Sequence, residues 1–191
     1  MGVFNIKDSW NYYRSLSEDM ARTSRYVEPI GQEDVYSIEF SKIIVLSCIE
    51  LESVFKALCS KIDSRGKYEN IAHYQEKILG KFPRIVDAVV TVPRAGTHLQ
   101  PFADWKSGGK LSWWKAYTEV KHTRGECFKQ ASYKNAVSAL SALYVSILYY
   151  NQFTKAGLYT VNDGYLSSGY ANSPVSMGRI KNLPDFEEDQ A

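Results

Sequence analysis

The chain has 191 residues, of which 45% are hydrophobic, 14% aromatic and 23% charged, enough apolar material for one compact domain with a short tail. These values exclude a second full domain, a disordered or low-complexity chain and a collagen-like repeat. The formal charge of +2 excludes a polycation, but it is unevenly spread: residues 1–60 carry 6 basic and 9 acidic side chains, residues 61–134 carry 14 and 7, and residues 135–191 carry 3 and 5. A basic middle third points to a partner with negative charge, although a solvated face has the same composition.

The opening MGVFNIKDSW has no apolar stretch behind a basic start, and Ile6 stands where a myristoylation pattern needs Ser or Thr. A cytoplasmic location is therefore expected. Asp8 is placed to cap a first helix running to about Thr23, with Trp10, Tyr13, Leu16 and Met20 on one face. Pro29 and Gly31 break it. A second helix, from about Asp34 to Ile62, is the longest and most apolar and reads as the central one, with Val35, Ile38, Val45, Ile49, Phe55 and Ile62 as core candidates. After a turn at Arg65 and Gly66, a shorter helix spans about Glu69 to Leu79. Residues 85–92, IVDAVVTV, are rich in β-branched side chains, yet a strand without a visible partner makes no sheet. Residues 93–110 hold two prolines with Gly96, Gly108 and Gly109, which predicts a long surface loop.

The stretch LSWWKAYTEVKHTRG predicts a helix stopped by its basic end and Gly125. A last long helix follows from about Ser132 to Thr154, where Tyr133, Val137, Leu140, Tyr144 and Ile147 repeat as a bundle seam. Residues 135–154 carry no formal charge, but Asn135, Ser138, Ser141, Ser146, Asn151, Gln152 and Thr154 dilute the apolarity. The centre of a bundle is expected there rather than a membrane span. Residues 156–191 form a Gly-, Tyr- and Ser-rich tail with an acidic end that could fold over the basic third. The expected fold is all-α: an antiparallel bundle of four to five helices over residues 1–155.

Three cysteines are too few for a disulfide scaffold. Cys48 and Cys59 lie roughly 16 Å apart along one helix at about 1.5 Å per residue, too far to pair, so reduced, buried thiols are expected. No cysteine and histidine spacing suits a metal, and no phosphate-binding glycine loop or nucleophile elbow is present. Neither a metal nor another cofactor is expected. Chemistry narrows to Trp113-Trp114-Lys115-Ala116-Tyr117-Thr118-Glu119-Val120-Lys121-His122-Thr123-Arg124. At about 100° per residue Lys115, Thr118 and His122 share a helical face, and Arg124 joins them only if the helix unwinds near Gly125.

This segment ahead of a long apolar helix, with Glu50 and Glu52 on the central helix, resembles the HEPN superfamily of small helical bundles from bacterial toxin and antiphage defence systems. The matching residues are the Trp pair, Tyr117-Thr118 and Lys121-His122-Thr123-Arg124, and the likeness covers roughly residues 34–155. The resemblance implies metal-independent cleavage of RNA, tRNA included, by a homodimer with both motifs in one cleft. His122 would be the acid or base, Arg124 and Lys121 would hold phosphate, and Lys115, Thr118, Trp114 and Tyr117 would line the RNA groove. An antitoxin or defence partner protein is implied too. The better-known signature carries an Arg upstream of the His, and here that window holds Lys115, Ala116 and Tyr117. Lys115 is the available substitute, without the bidentate fork of an arginine. The alternative is a catalytically inactive HEPN-like module that dimerises and docks a partner protein or nucleotide.

Each of these residues also has a purely structural reading. Lys121, His122 and Arg124 suit a helix C-terminus, where cations offset the macrodipole. Trp113, Trp114 and Tyr117 suit a core. Of Glu50 and Glu52, at least one should be half-buried and paired with a cation from Lys121, His122 or Arg124.

Overall fold

The computed structural model describes residues 4–92, 95–158 and 183–186, with Arg124 described by its backbone alone. The chain is mostly helical, with six α-helices among the described residues: α1 (Ile6–Thr23), α2 (Ile38–Ile62), α3 (Ile71–Lys81), α4 (Ser112–His122), the short α5 (Arg124–Cys127) and α6 (Tyr133–Thr154). One antiparallel hairpin joins β1 (Val90–Val92) to β2 (Thr97–Leu99), with Val90 opposite Leu99 and Val92 opposite Thr97. No helix among the described residues is long and apolar enough to cross a membrane.

Side-chain caps fix where the main helices begin. Asn5 accepts from the Lys7 amide at 3.1 Å, Ser37 from Phe40 at 3.1 Å, Asn70 from His73 at 3.0 Å and Ser132 from Asn135 at 3.4 Å. Asp8 is thus not the cap of α1 but an acidic residue in its first turn. The second helix starts at Ile38 rather than Asp34, because Glu33 and Asp34 lie in a turn and the chain then runs extended through Tyr36 and Ser37, where it pairs with the approach to α6. Ser37 donates its amide to the Ala131 carbonyl (3.1 Å), Tyr133 to that of Val35 (2.8 Å) and Lys134 to that of Glu33 (3.0 Å). An ion pair of 2.6 Å between Lys134 and Asp34 flanks this clamp.

The clamp sets the topology. It places the N-termini of α2 and α6 side by side, Phe40 of one meets Tyr133 of the other edge to face, and the two pack along their lengths. The central pair therefore runs in the same direction, a departure from an all-antiparallel bundle that the long connection between them permits. Helix α1 runs the opposite way: Phe4, just before it, touches Tyr150 near the end of α6, while Trp10 and Tyr13 reach Tyr144. The more enveloped member of the pair is α6, with 16 of 22 residues buried against 11 of 25 in α2. Its expected seam, Tyr133, Val137, Leu140, Tyr144 and Ile147, is buried throughout.

On α2 the expected core face is displaced. Phe55 is buried, but Ile38 and Ile49 are 59% and 47% exposed, and Phe40, Ile44, Cys48, Leu51, Val54 and Leu58 make the seam instead. Residues 93–110 are not a surface loop as far as they are described. They supply β2, the partner missing from the sequence, and a 3-10 turn at Ala103–Ser107. Phe102 and Trp105 from this stretch are buried and stack at 4.9 Å beneath Phe55. Residues 85–92 divide between a 3-10 turn, Pro83–Asp87, and β1. Cys48 and Cys59 are buried free thiols, whereas Cys127 is half-exposed. Of the expected tail, residues 159–182 and 187–191 lie outside the described residues, and Pro184–Phe186 packs against the body.

Candidate functional site

Helix α4 is set in place from the segment before it. Leu111 at its N-terminus has no side chain able to cap, and Asp104 of the preceding 3-10 turn accepts the Ser112 amide at 3.0 Å instead. The Trp113 indole donates to the Pro101 carbonyl at 2.7 Å in a buried contact. Trp113, Ala116, Tyr117 and Val120 form the buried face, so Trp113 belongs to the core and is no platform for a base.

Beside that face lies a cleft of about 220 Å³ between the middle of α2, the start of α3 and the C-terminal half of α4. Glu52, Trp114, Tyr117, Thr118, Lys121 and His122 line it together with Glu69, Asn70, Ile71 and Tyr74. Six of the residues singled out in the sequence thus converge. Lys115 and Glu50 do not. Lys115 is outside the lining, turned outward toward Glu119 at 3.7 Å. Glu50 lies two residues from Glu52, about 200° round the helix, and its charge acts on Tyr12 of α1.

Within the cleft, the Tyr117 phenol donates to Glu52 Oε1 and accepts from Lys121 Nζ, each at 3.3 Å. Tyr117 is only 3% exposed. Burial raises its pKa above that of an ordinary phenol, with the Glu52 charge adding to this and Lys121 opposing it. It is therefore a neutral hydrogen-bonding group and no stacking surface. Trp114 is half-buried, with its ring 5.2 Å from that of Tyr117. The hydrogen bond to Tyr117 raises the pKa of Lys121, which stays a cation. The Thr118 hydroxyl donates back to the Trp114 carbonyl at 3.1 Å. Tyr74 packs on Phe55 at the cleft floor, its phenol pushed up to about 12 by burial.

His122 is exposed, and no described residue hydrogen-bonds its ring. It sits in the last turn of α4, and Thr123 closes the helix through its amide and hydroxyl, 2.8 and 2.9 Å from the Glu119 carbonyl. The helix thus ends before Arg124 rather than at Gly125. Thr123 departs from helical geometry at φ −131° and ψ 36°, and Arg124 opens α5. The Arg124 side chain lies outside the described residues.

The basic third does not converge on this cleft. Lys77 pairs with Asp63 at 3.2 Å, Lys106 with Asp87 at 2.7 Å and Lys134 with Asp34 at 2.6 Å, so part of the surplus is spent in ion pairs elsewhere. Among the described side chains lining the cleft, Lys121 and His122 face Glu52 and Glu69. Sequence reasoning missed Glu69, Asn70, Ile71 and Tyr74. The cap motif at Asn70 marks a helix start, but nothing in it says that this start faces α4. Among the described residues no group of three or more His, Cys, Asp or Glu side chains comes together to hold a metal ion. Comparison with known proteins returned no family model, no curated protein and no solved structure that matches this chain.

Proposed function

We propose that the chain is a HEPN-like, metal-independent endoribonuclease of a toxin or antiphage defence system, working as a homodimer on tRNA or another structured RNA. One observation carries the reading: an exposed imidazole, unbonded by any described residue, lies beside a lysine ammonium in one cleft with a half-buried tryptophan. In this reading His122 accepts the 2′-hydroxyl proton as O2′ attacks phosphorus, Lys121 holds a non-bridging oxygen, and the 5′-oxygen departs with a proton from imidazolium or water. The products carry a 2′,3′-cyclic phosphate and a 5′-hydroxyl. Trp114 offers the face for one base, and Arg124 follows His122 closely enough in the chain to serve as a second phosphate contact.

The test incubates purified protein with EDTA and bacterial tRNA or total RNA, beside His122→Ala. Cleavage by the wild type and none by the variant, with melting temperatures matching within a few degrees, is the expected result. Equal RNA patterns from both proteins would overturn the assignment of His122.

A second reading, a silent module that docks a partner protein or nucleotide, is favoured by a specific observation. Lys115 turns away to Glu119, and two carboxylates, Glu52 and Glu69, share the cleft. Intact RNA together with retention of a partner protein by the purified chain would select it.

A further inference from the structure

Lys121 and Glu52 carry opposite charges and line the same cleft, yet they form no ion pair. Tyr117 stands between them. A phenol has one proton to give and lone pairs to accept with. Because that proton goes to Glu52 Oε1, the bond to Lys121 Nζ has only one possible direction, from ammonium to phenol oxygen. The chain of donors therefore runs from Lys121 to Tyr117 to Glu52.

Two consequences follow. A direct salt bridge would occupy the ammonium's donors with the carboxylate, whereas the neutral phenol keeps the two out of contact while the Glu52 charge still acts on Lys121 across it. The ammonium also has three N–H donors, and Tyr117 takes one, which leaves two for a ligand. Fixing a flexible four-carbon side chain before the ligand arrives removes part of the ordering cost of binding. The Tyr117 ring is itself packed against Trp114 and buried with the core face of α4.

We propose that Tyr117 is a positioning residue, which holds Lys121 apart from Glu52 and aims its ammonium into the cleft as the phosphate-binding cation for a single-stranded RNA segment. The proposal rests on the ribonuclease reading for its substrate class and on the hydrogen-bond chain for its geometry. It also replaces the stacking role expected of Tyr117.

The experiment measures binding of a short, fluorescein-labelled 2′-O-methyl oligoribonucleotide, which has no 2′-hydroxyl to attack and so is not cut. Fluorescence anisotropy across a salt series is read for wild type, Tyr117→Phe, Lys121→Ala and the double variant, with melting temperature as the folding control. Phenylalanine keeps the packed ring and removes only the hydroxyl. Lys121→Ala is expected to weaken binding about tenfold and to lower the slope of log affinity against log salt by about 0.7, the value of one single-strand phosphate contact. Tyr117→Phe is expected to weaken binding about threefold to tenfold, and the double variant to be no weaker than Lys121→Ala alone. Wild-type affinity in Tyr117→Phe, losses that multiply in the double variant, or no binding by the wild type would overturn the proposal. Unmodified RNA is followed in parallel. The expected binding pattern with uncut RNA would end the ribonuclease reading and leave the Lys121 clamp standing.

Discussion

The hydroxyl of Tyr144 lies in the interior with no hydrogen-bond partner among the described residues, its ring stacked 5.2 Å from that of Tyr13. An unpaired buried hydroxyl costs about 1–3 kcal/mol of desolvation. Tyr144→Phe should leave stability unchanged or raise it by up to that amount, read from chemical denaturation midpoints. At the opposite extreme, the Asp63 carboxyl is held below the ordinary carboxylate range, first by the Arg65 amide and then by Lys77. Its native pKa is thus lower than its unfolded one, so the carboxylate adds stability above about pH 4. That contribution is lost as pH falls through the depressed native value. Asp63→Asn should lower the denaturation midpoint near neutrality and converge with the wild type in acid. The same scale separates the legible from the illegible in the site. Lys121, His122 and Trp114 stand out because charged and aromatic side chains crowd one helical turn. Glu50 and Glu52 were indistinguishable, since each has apolar neighbours one turn away and only the position of α4 says which side is the cleft.

At the scale of elements, the caps explain most of the helix boundaries. Ser37 begins α2 just where the chain leaves its pairing with residues 131–134, so one residue both caps a helix and ends an extended clamp. Ser37→Ala should cost about 1 kcal/mol, measured by urea denaturation, through loss of the bond to the Phe40 amide. The misplacement of the α2 start has its cause here: Asp34 has the chemistry of a cap, but residues 33–37 are committed to a partner almost a hundred residues away. The displaced core face of α2 has a related origin. A helix that is apolar on most sides gives periodicity little contrast, and Ile38 and Ile49 satisfy the spacing as well as Ile44 and Leu51 do. For α6 the same ambiguity was harmless, because nearly every side of that helix is buried.

For the whole molecule, the decisive segment is 95–111, which carries the missing strand, the paired rings of Phe102 and Trp105, and the Asp104 carboxylate that caps α4. Trp105→Ala should cost about 3–5 kcal/mol in denaturation experiments. Under the proposed ribonuclease reading, cleavage or oligonucleotide binding at temperatures below the new melting point should fall with it, because α4 loses the support that aims Lys121 and His122. The prolines and glycines of this stretch signalled a loop, and the apolar residues between them signalled burial. Local patterns cannot rank the two when the burial comes from Phe55 of a distant helix.

The sequence by itself determined the mostly helical class, four of the long elements to within a few residues, the seam of α6 and the short stretch from Trp114 to His122 that lines the cleft. Those features depend on spacing of three to four residues, which a chain carries locally. The tertiary structure alone decided that α2 and α6 run in the same direction and that α3 opens onto the cleft. It likewise decided that Lys115 faces outward while Tyr117 mediates between Lys121 and Glu52. Each of these joins residues far apart in the chain, where packing and hydrogen-bond geometry select one arrangement from several that the local pattern allows.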